Sequence, residues 1–259
     1  MSSSPVDLRV DWCSYKAAKW AVEHWHYSRT MPKSKIVHVG AWENDQFVGA
    51  VLFNVSANNN IGKPYGLKMT EVCELVRVAL TNHVSPVSQI VSRAIKMLKL
   101  QSPGLRLIVS FADPEHFHVG GIYQAMNWCY AGMTMPADEW IVNGKRWHGR
   151  ALRHEKPAHL TTAQAAKAID PDSKRILGSS KHRYLYPLDR AMRKQIAPLA
   201  LPYPKRETSG PSVEGDTLPQ AESDVRSIGA ALNNNAKSTN YKRRADELEA
   251  RLLAAGKNG

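Results

Sequence analysis

The chain has 259 residues, 43% of them hydrophobic, three cysteines and a formal net charge of +12. That length supports one sizeable core with appendages. No apolar run is long enough to span a membrane, and the N-terminal MSSSPVDLRVDW lacks the apolar stretch of a secretory signal. Cys13, Cys73 and Cys129 are scattered and odd in number, which argues against a disulfide framework or a cysteine zinc site and points to a cytoplasmic protein with reduced thiols.

The charge is unevenly placed. Residues 144–206 hold 15 Lys and Arg against 4 acidic residues, whereas residues 1–143 hold 13 against 11 and residues 207–259 hold 7 against 8. The basic block also carries Trp147, Tyr184, Tyr186 and Tyr203. Concentrated cations interleaved with aromatics suit a phosphate backbone and exposed bases, although a solvated basic face has the same composition.

In chain order, residues 13–26 predict a helix, with Ala17, Trp20, Ala21 and Trp25 near a 3.6-residue period. Pro32 bars its continuation. KIVHVGAWE and QFVGAVLF flank Asn44-Asp45 and predict a hairpin. A Gly/Asn/Pro-rich loop over 56–70 leads into a strand over 71–80. Residues 86–100 predict a helix with Val87, Ile90, Val91, Ala94, Ile95 and Leu98 on one stripe, Ser85 as N-cap and Pro86 as first helical residue. LRLIVSFA, 105–112, reads as a strand covered on both faces. A helix over 121–131, a hairpin over 138–152 around Asn143-Gly144 and an Ala-rich helix over 157–172 follow. KHRYLYPLDRAMRKQIAPLALPYPKR then reads as a basic aromatic arm. The order predicts an α/β fold, a mixed central sheet flanked by helices with a basic C-terminal arm. The expected organisation is a catalytic domain over 1–156, a basic extension over 157–206, a disordered linker over 207–240 and a terminal helix over 241–256.

Chemistry concentrates at three places. The strand exit FADPEHFHVGGIY carries Asp113, Glu115, His116 and His118, then Gly120-Gly121 and Tyr123. In mixed α/β sheets ligands gather beyond the carboxyl ends of parallel strands, and an Asp-Pro turn alone does not account for the histidines. His26 and Tyr27 stand where the first helix ends, a place that also suits a histidine through the helix dipole. Arg77 interrupts an apolar strand, and the helix start after TNHVSPVSQ offers free N–H groups with Ser85 and Ser88 for a phosphate. Lys145, Arg146, Trp147, His148, Arg150, Lys181, Arg183 and Tyr184 are the candidate nucleic-acid contacts.

EHWHYSR, ELVRVAL-TNHVSPVSQIVSRAIKML, SFADPEHFHVGGIYQAMNWCYAG and VNGKRWHGRAL together resemble the Mom DNA-modification proteins of Mu-like phages, over roughly residues 10–205. That family looks like a distant branch of the GNAT acyltransferase superfamily, so the resemblance implies a GNAT-like catalytic domain. It implies an enzyme that places a carbamoylmethyl, glycinamide-like group on adenine N6 of double-stranded DNA and so protects phage DNA from host restriction, in the cytoplasm of the infected bacterium. The implied catalytic set is His26, Tyr27, Arg77, Asp113 and Tyr123: Asp113 accepting an N6 proton, His26 or Tyr27 relaying it, Tyr123 protonating the leaving group. The loop TNHVSPVSQ lacks the Gly-rich pyrophosphate pattern of that superfamily, so the acyl donor is either an acyl-CoA or another activated glycyl donor. His26, Tyr27, Asp113 and His116 also allow a loose iron site. A non-enzymatic basic DNA-binding protein and a GNAT N-acetyltransferase acting on a non-DNA amine are the alternatives.

Overall fold

The computed structural model describes residues 6–54, 60–154 and 160–205. The expected linker over 207–240 and terminal helix over 241–256 lie outside the described residues. Strands β1 (Leu8–Trp12), β2 (Ile36–Glu43), β3 (Gln46–Asn54), β4 (Val72–Leu80), β5 (Leu107–Ala112), β6 (Cys129–Met133) and β10 (His182–Pro187) form one seven-stranded sheet in the order β1-β2-β3-β4-β5-β10-β6. A second sheet has the order β8-β7-β9, from β7 (Asp138–Val142), β8 (Lys145–His148) and β9 (Lys174–Leu177). Among the described residues no helix is long and apolar enough to cross a membrane.

Helix α1 (Tyr15–Trp25) begins where Ser14 accepts the Ala17 N–H at 3.1 Å, a side-chain cap for a group with no helical partner. Its buried Ala17, Ala18, Ala21 and Val22 let the backbone lie close on Ala50, Leu52 and Ala79 of the sheet. Helix α2 (Val87–Gln101) buries Ile90, Val91, Ala94, Ile95 and Leu98 against the opposite face, the stripe that the periodicity predicts. It starts one residue later than expected, with Pro86 at the cap position. The β2–β3 hairpin turns at Asn44 and Asp45, both at positive φ, as a two-residue primed turn requires.

Three expectations change. Helix α3 spans only Gly121–Ala125, because Asn127 adopts a φ of 54° and swings Trp128 into the core, where it is fully buried before β6 begins. The hairpin expected over 138–152 ends at His148, and helix α4 (Gly149–His154) follows it. The third change matters most. The basic arm is no appendage: β10 pairs antiparallel with β5 on one side and β6 on the other. Its apolar residues alternate between two cores, Tyr184 with Tyr186 on the α2 side and Leu185 on the side of α6 (Arg190–Ile196). A boundary at residue 156 therefore does not divide the chain. Residues 157–206 instead contribute α5 (Thr162–Ile169), β9, the sheet strand β10 and α6.

Gly120 has a φ of 79°, and a Cβ there would fall 2.3 Å from the Tyr184 ring. Gly121 has nothing within 4 Å of its Cβ position and no positive φ. Gly120→Ala is expected to lower stability by about 2–4 kcal/mol, from left-handed strain plus overpacking, and Gly121→Ala by less than about 0.5 kcal/mol. Urea midpoints of the two variants check this.

Candidate active site

β4 and β5 are the parallel neighbours of the large sheet, and they stay in register for only three pairs, ending at Glu74↔Val109. Beyond that point they part. The gap is a cavity of about 810 Å³, with Val76, Arg77 and Val78 on one side and Phe111, Ala112 and Asp113 on the other. His26, Tyr27 and Tyr123 also line it, with His118, Gln124 and Lys205. The five residues expected to be catalytic thus come together, and they do so where a parallel pair opens.

His26 is buried at the C-terminal end of α1. Its Nδ1 accepts the Ser28 backbone N–H at 3.1 Å and lies 2.8 Å from the Ser28 hydroxyl. A backbone amide can only donate, so the geometry assigns the proton to Nε2. Loss of water, with the charge of Arg77 and the nearby His118 and His116, pushes its pKa down to about 3. At neutral pH it is an uncharged N–H donor. Tyr27 is 46% exposed, and its ring lies 4.3 Å from His26, 4.5 Å from His116 and 5.1 Å from His118.

Asp113 is buried. Its carboxylate accepts from the Glu115 N–H at 3.1 Å and the Ser179 hydroxyl at 3.2 Å, and it pairs with the Lys181 ammonium at 2.9 Å. Burial alone would raise its pKa, but the Lys181 bond and the other donors outweigh it and hold the carboxyl below its usual range. Lys181, expected to touch DNA, is therefore committed to Asp113. The carboxylate is a weak base and a firmly placed hydrogen-bond acceptor.

Arg77 donates to the Val76 carbonyl at 2.7 Å, and its buried Nε has no hydrogen-bond partner among the described residues. That is a cation beside a cavity with a donor still to satisfy. The Tyr123 ring is half-buried and its hydroxyl is enclosed, 2.7 Å from the Ser110 hydroxyl, which is itself 2.7 Å from the Leu75 carbonyl. A carbonyl only accepts, so Ser110 can pass its one proton to Leu75 and take that of Tyr123. Burial pushes the Tyr123 pKa up to about 12, so the phenol stays protonated.

Other expectations fare differently. Ser85 is buried, and the Val84 and Ser85 amides donate to the Glu43 carboxylate at 2.9 and 2.7 Å. The expected phosphate nest thus already holds an anion, and neither Ser85 nor Ser88 lines the cavity. Arg146 makes a paired contact with both Glu115 oxygens, at 3.0 and 3.1 Å, and a second ion pair with Glu139, so it braces the Asp113 loop against β8. Tyr184 is fully buried with its hydroxyl on the Val119 carbonyl at 2.5 Å, so it cannot stack on a base. Trp147 packs half-buried on the small core around Trp140 and Leu152. Arg183 is half-buried and donates to the Ala131 carbonyl at 3.0 Å. Lys145 and His148 are exposed, and the Arg150 side chain falls outside the described part. Among the described residues no group of three His, Cys, Asp or Glu is arranged to hold a metal. Of the expected iron set, the Asp113 carboxylate pairs with Lys181 and accepts from Ser179. Sequence reasoning missed Ser179, Phe117 and Lys205. The last two line the cavity, and only the exposed aromatic in EHFH carried any local signal.

A cavity at a parted parallel pair, where an imidazole, a guanidinium, a carboxylate and a phenol meet among apolar side chains, defines the class: an α/β protein with a candidate site at the opening of its central sheet. The chain belongs to the Mom protein family, which it matches over residues 7–205. It is similar to the methylcarbamoylase Mom of Escherichia phage Mu, at 28% identity over 130 residues, or 49% of this chain and 54% of that protein. The similarity thus spans about half the length of the relative.

Because the folded pKa of His26 is about 3 and the unfolded one is near 6.5, the unfolded chain binds the extra proton first as pH falls. The stability contributed by neutral His26 is complete above about pH 6.5 and is lost toward pH 3, with a slope of up to about 1.4 kcal/mol per pH unit. Urea midpoints at pH 7.5 and pH 5 should differ more for the wild type than for His26→Gln, which has no such proton to bind.

Proposed function

We propose that this protein is a phage enzyme that modifies DNA, transferring a carbamoylmethyl, glycinamide-like group to adenine N6 of double-stranded DNA in the host cytoplasm and so protecting that DNA from restriction. The observation that carries the reading is the cavity between the parted β4 and β5, with Arg77 and Asp113 on its two walls, in a chain of the Mom family. The relative's name, methylcarbamoylase, supports the kind of group moved. The charge of +12 supports a polyanionic partner.

Each lining group has a part that its surroundings favour. Asp113 is the one carboxylate among the described residues that line the cavity. Held ionised by Lys181, it accepts an N–H of the adenine amine, aims the nitrogen, and takes its proton once bonding to the acyl carbon has made that nitrogen acidic. His26, as an Nε2–H donor, and Arg77, through its guanidinium at the cavity wall, hold oxygen of the incoming acyl donor and stabilise charge that develops there. Tyr123, still protonated at neutral pH, supplies the proton that the leaving group needs when its hydroxyl hydrogen turns from Ser110 toward the cavity. The donor is an acyl-CoA or another activated glycyl compound, bound elsewhere than at Ser85, where Glu43 would repel its phosphates. Its glycyl carbonyl first bonds to N6 as the carrier leaves; the glycyl amine then attacks C6 through a five-membered ring, and the C6–N6 bond breaks so that the old N6 becomes the carboxamide nitrogen of the carbamoylmethyl product. Phosphate contacts fall to exposed cations such as Lys145, and to Lys205 at the cavity.

Expression in bacteria, digestion of total DNA and mass spectrometry of the nucleosides test the reading. The expected result is a deoxyadenosine heavier by one carbamoylmethyl group. Arg77→Met should reduce it roughly 100-fold, the usual cost of one charge-stabilising donor. Ordinary nucleosides from a soluble, folded wild-type protein would overturn the assignment.

A further inference from the structure

We propose that Phe117 is a wedge, which enters the base stack of duplex DNA and fills the space vacated when a base is drawn into the cavity. The inference rests on the DNA-modification reading above. It starts from an exposed ring in the wrong place for a core: Phe117 is 66% exposed, yet it lines the cavity beside Phe111, Asp113 and His118. Its φ is 58°, in a region that non-glycine residues seldom occupy.

The loop holds that conformation rigidly. Pro114–His116 make a turn of 3-10 helix, and the Phe117 N–H closes it on the Pro114 carbonyl at 2.9 Å. The N–H groups of His116 and His118 both donate to the Asp113 carbonyl, at 3.1 and 3.2 Å. The two-pronged Arg146–Glu115 contact braces the turn from outside. An aromatic ring is thus projected into solvent on a stiff support, next to a pocket lined by a cation, Lys205. His116 and His118, which the chemistry leaves without a step, pack on Tyr27 and stiffen the same lip.

Adenine N6 is enclosed in a base pair, so an enzyme acting on it must extrude the nucleotide and offset the lost stacking. Apolar side chains inserted at the step do this, phenylalanine among them. A flat ring of base-like width, preset at the mouth of the receiving cavity, has the shape for that insertion. The polar lining deeper in the cavity is then left to read the extruded base.

The test compares wild type, Phe117→Ala and Phe117→Trp in bacterial extract, which supplies the donor. Two synthetic DNA templates are used: a fully paired duplex, and one whose adenines all face abasic positions, where extrusion is easy. Modified deoxyadenosine is counted by mass spectrometry. Phe117→Ala should lose at least tenfold on the paired duplex and stay within about twofold of wild type on the relaxed one. Phe117→Trp should keep half or more of the activity on both. Equal losses on the two templates, or none on the paired duplex, would overturn the wedge. So would a wild type that acts only on the paired template, because extrusion would not then be the obstacle. A wild type inactive on both would instead sink the DNA-modification reading itself, and the wedge with it. The ring is exposed, so solubility and circular dichroism of the variants should match wild type.

Discussion

The carboxylate and carbonyl of Asp113 hold the site together. One residue accepts from the amides of Glu115, His116 and His118, from the Ser179 hydroxyl and from the Lys181 ammonium. It joins the exit of β5 to the entry of β10, and so closes one wall of the cavity. A buried carboxylate without such partners would protonate or draw water into the site. Here the pair with Lys181 is partly buried and supported by neutral donors, the arrangement in which an ion pair keeps its geometry. The position of every ring on the lip, from His116 to His118, follows from it.

The second constraint is the parting of β4 and β5. The two strands run parallel for three pairs. After them the backbone groups of a central strand need other partners or an opening. Ser110 answers part of this need by donating to the Leu75 carbonyl from across the gap, and the same hydroxyl fixes the Tyr123 phenol. Structural repair and functional placement thus use the same atoms. On the far side, α1 brings His26 to the cavity, because its small residues let it sit low on the sheet.

Electrostatics divides the cationic surface into two kinds. Arg146 and Lys181 are spent on Glu115, Glu139 and Asp113, where they set the shape of the site. Lys145 and Lys205 are exposed, the second at the cavity. Composition cannot make this division, since a paired and an unpaired arginine read alike in a sequence. The same holds for Glu43, which fills the helix-start nest that Ser85 seemed to offer to a phosphate.

Much was legible in the amino-acid order alone. The stripe of α2, the Asn44-Asp45 turn, the doubly covered β5 and the cluster of polar residues at its exit all follow from local periodicity and turn chemistry, which act over a few residues. That His26, Tyr27, Arg77, Asp113 and Tyr123 deserve attention was equally visible, from residue type and from the family resemblance. What tertiary structure decided is who meets whom. Ser85 finds Glu43 across 42 residues, and Arg146 finds Glu115 across 31. β10 enters the sheet between β5 and β6 although charge made its neighbourhood look like a free arm. Such pairings depend on strand order and on burial from both faces. Neither leaves a local pattern, because a side chain's solvent, its partner and hence its pKa belong to the packed chain and not to its neighbours in sequence.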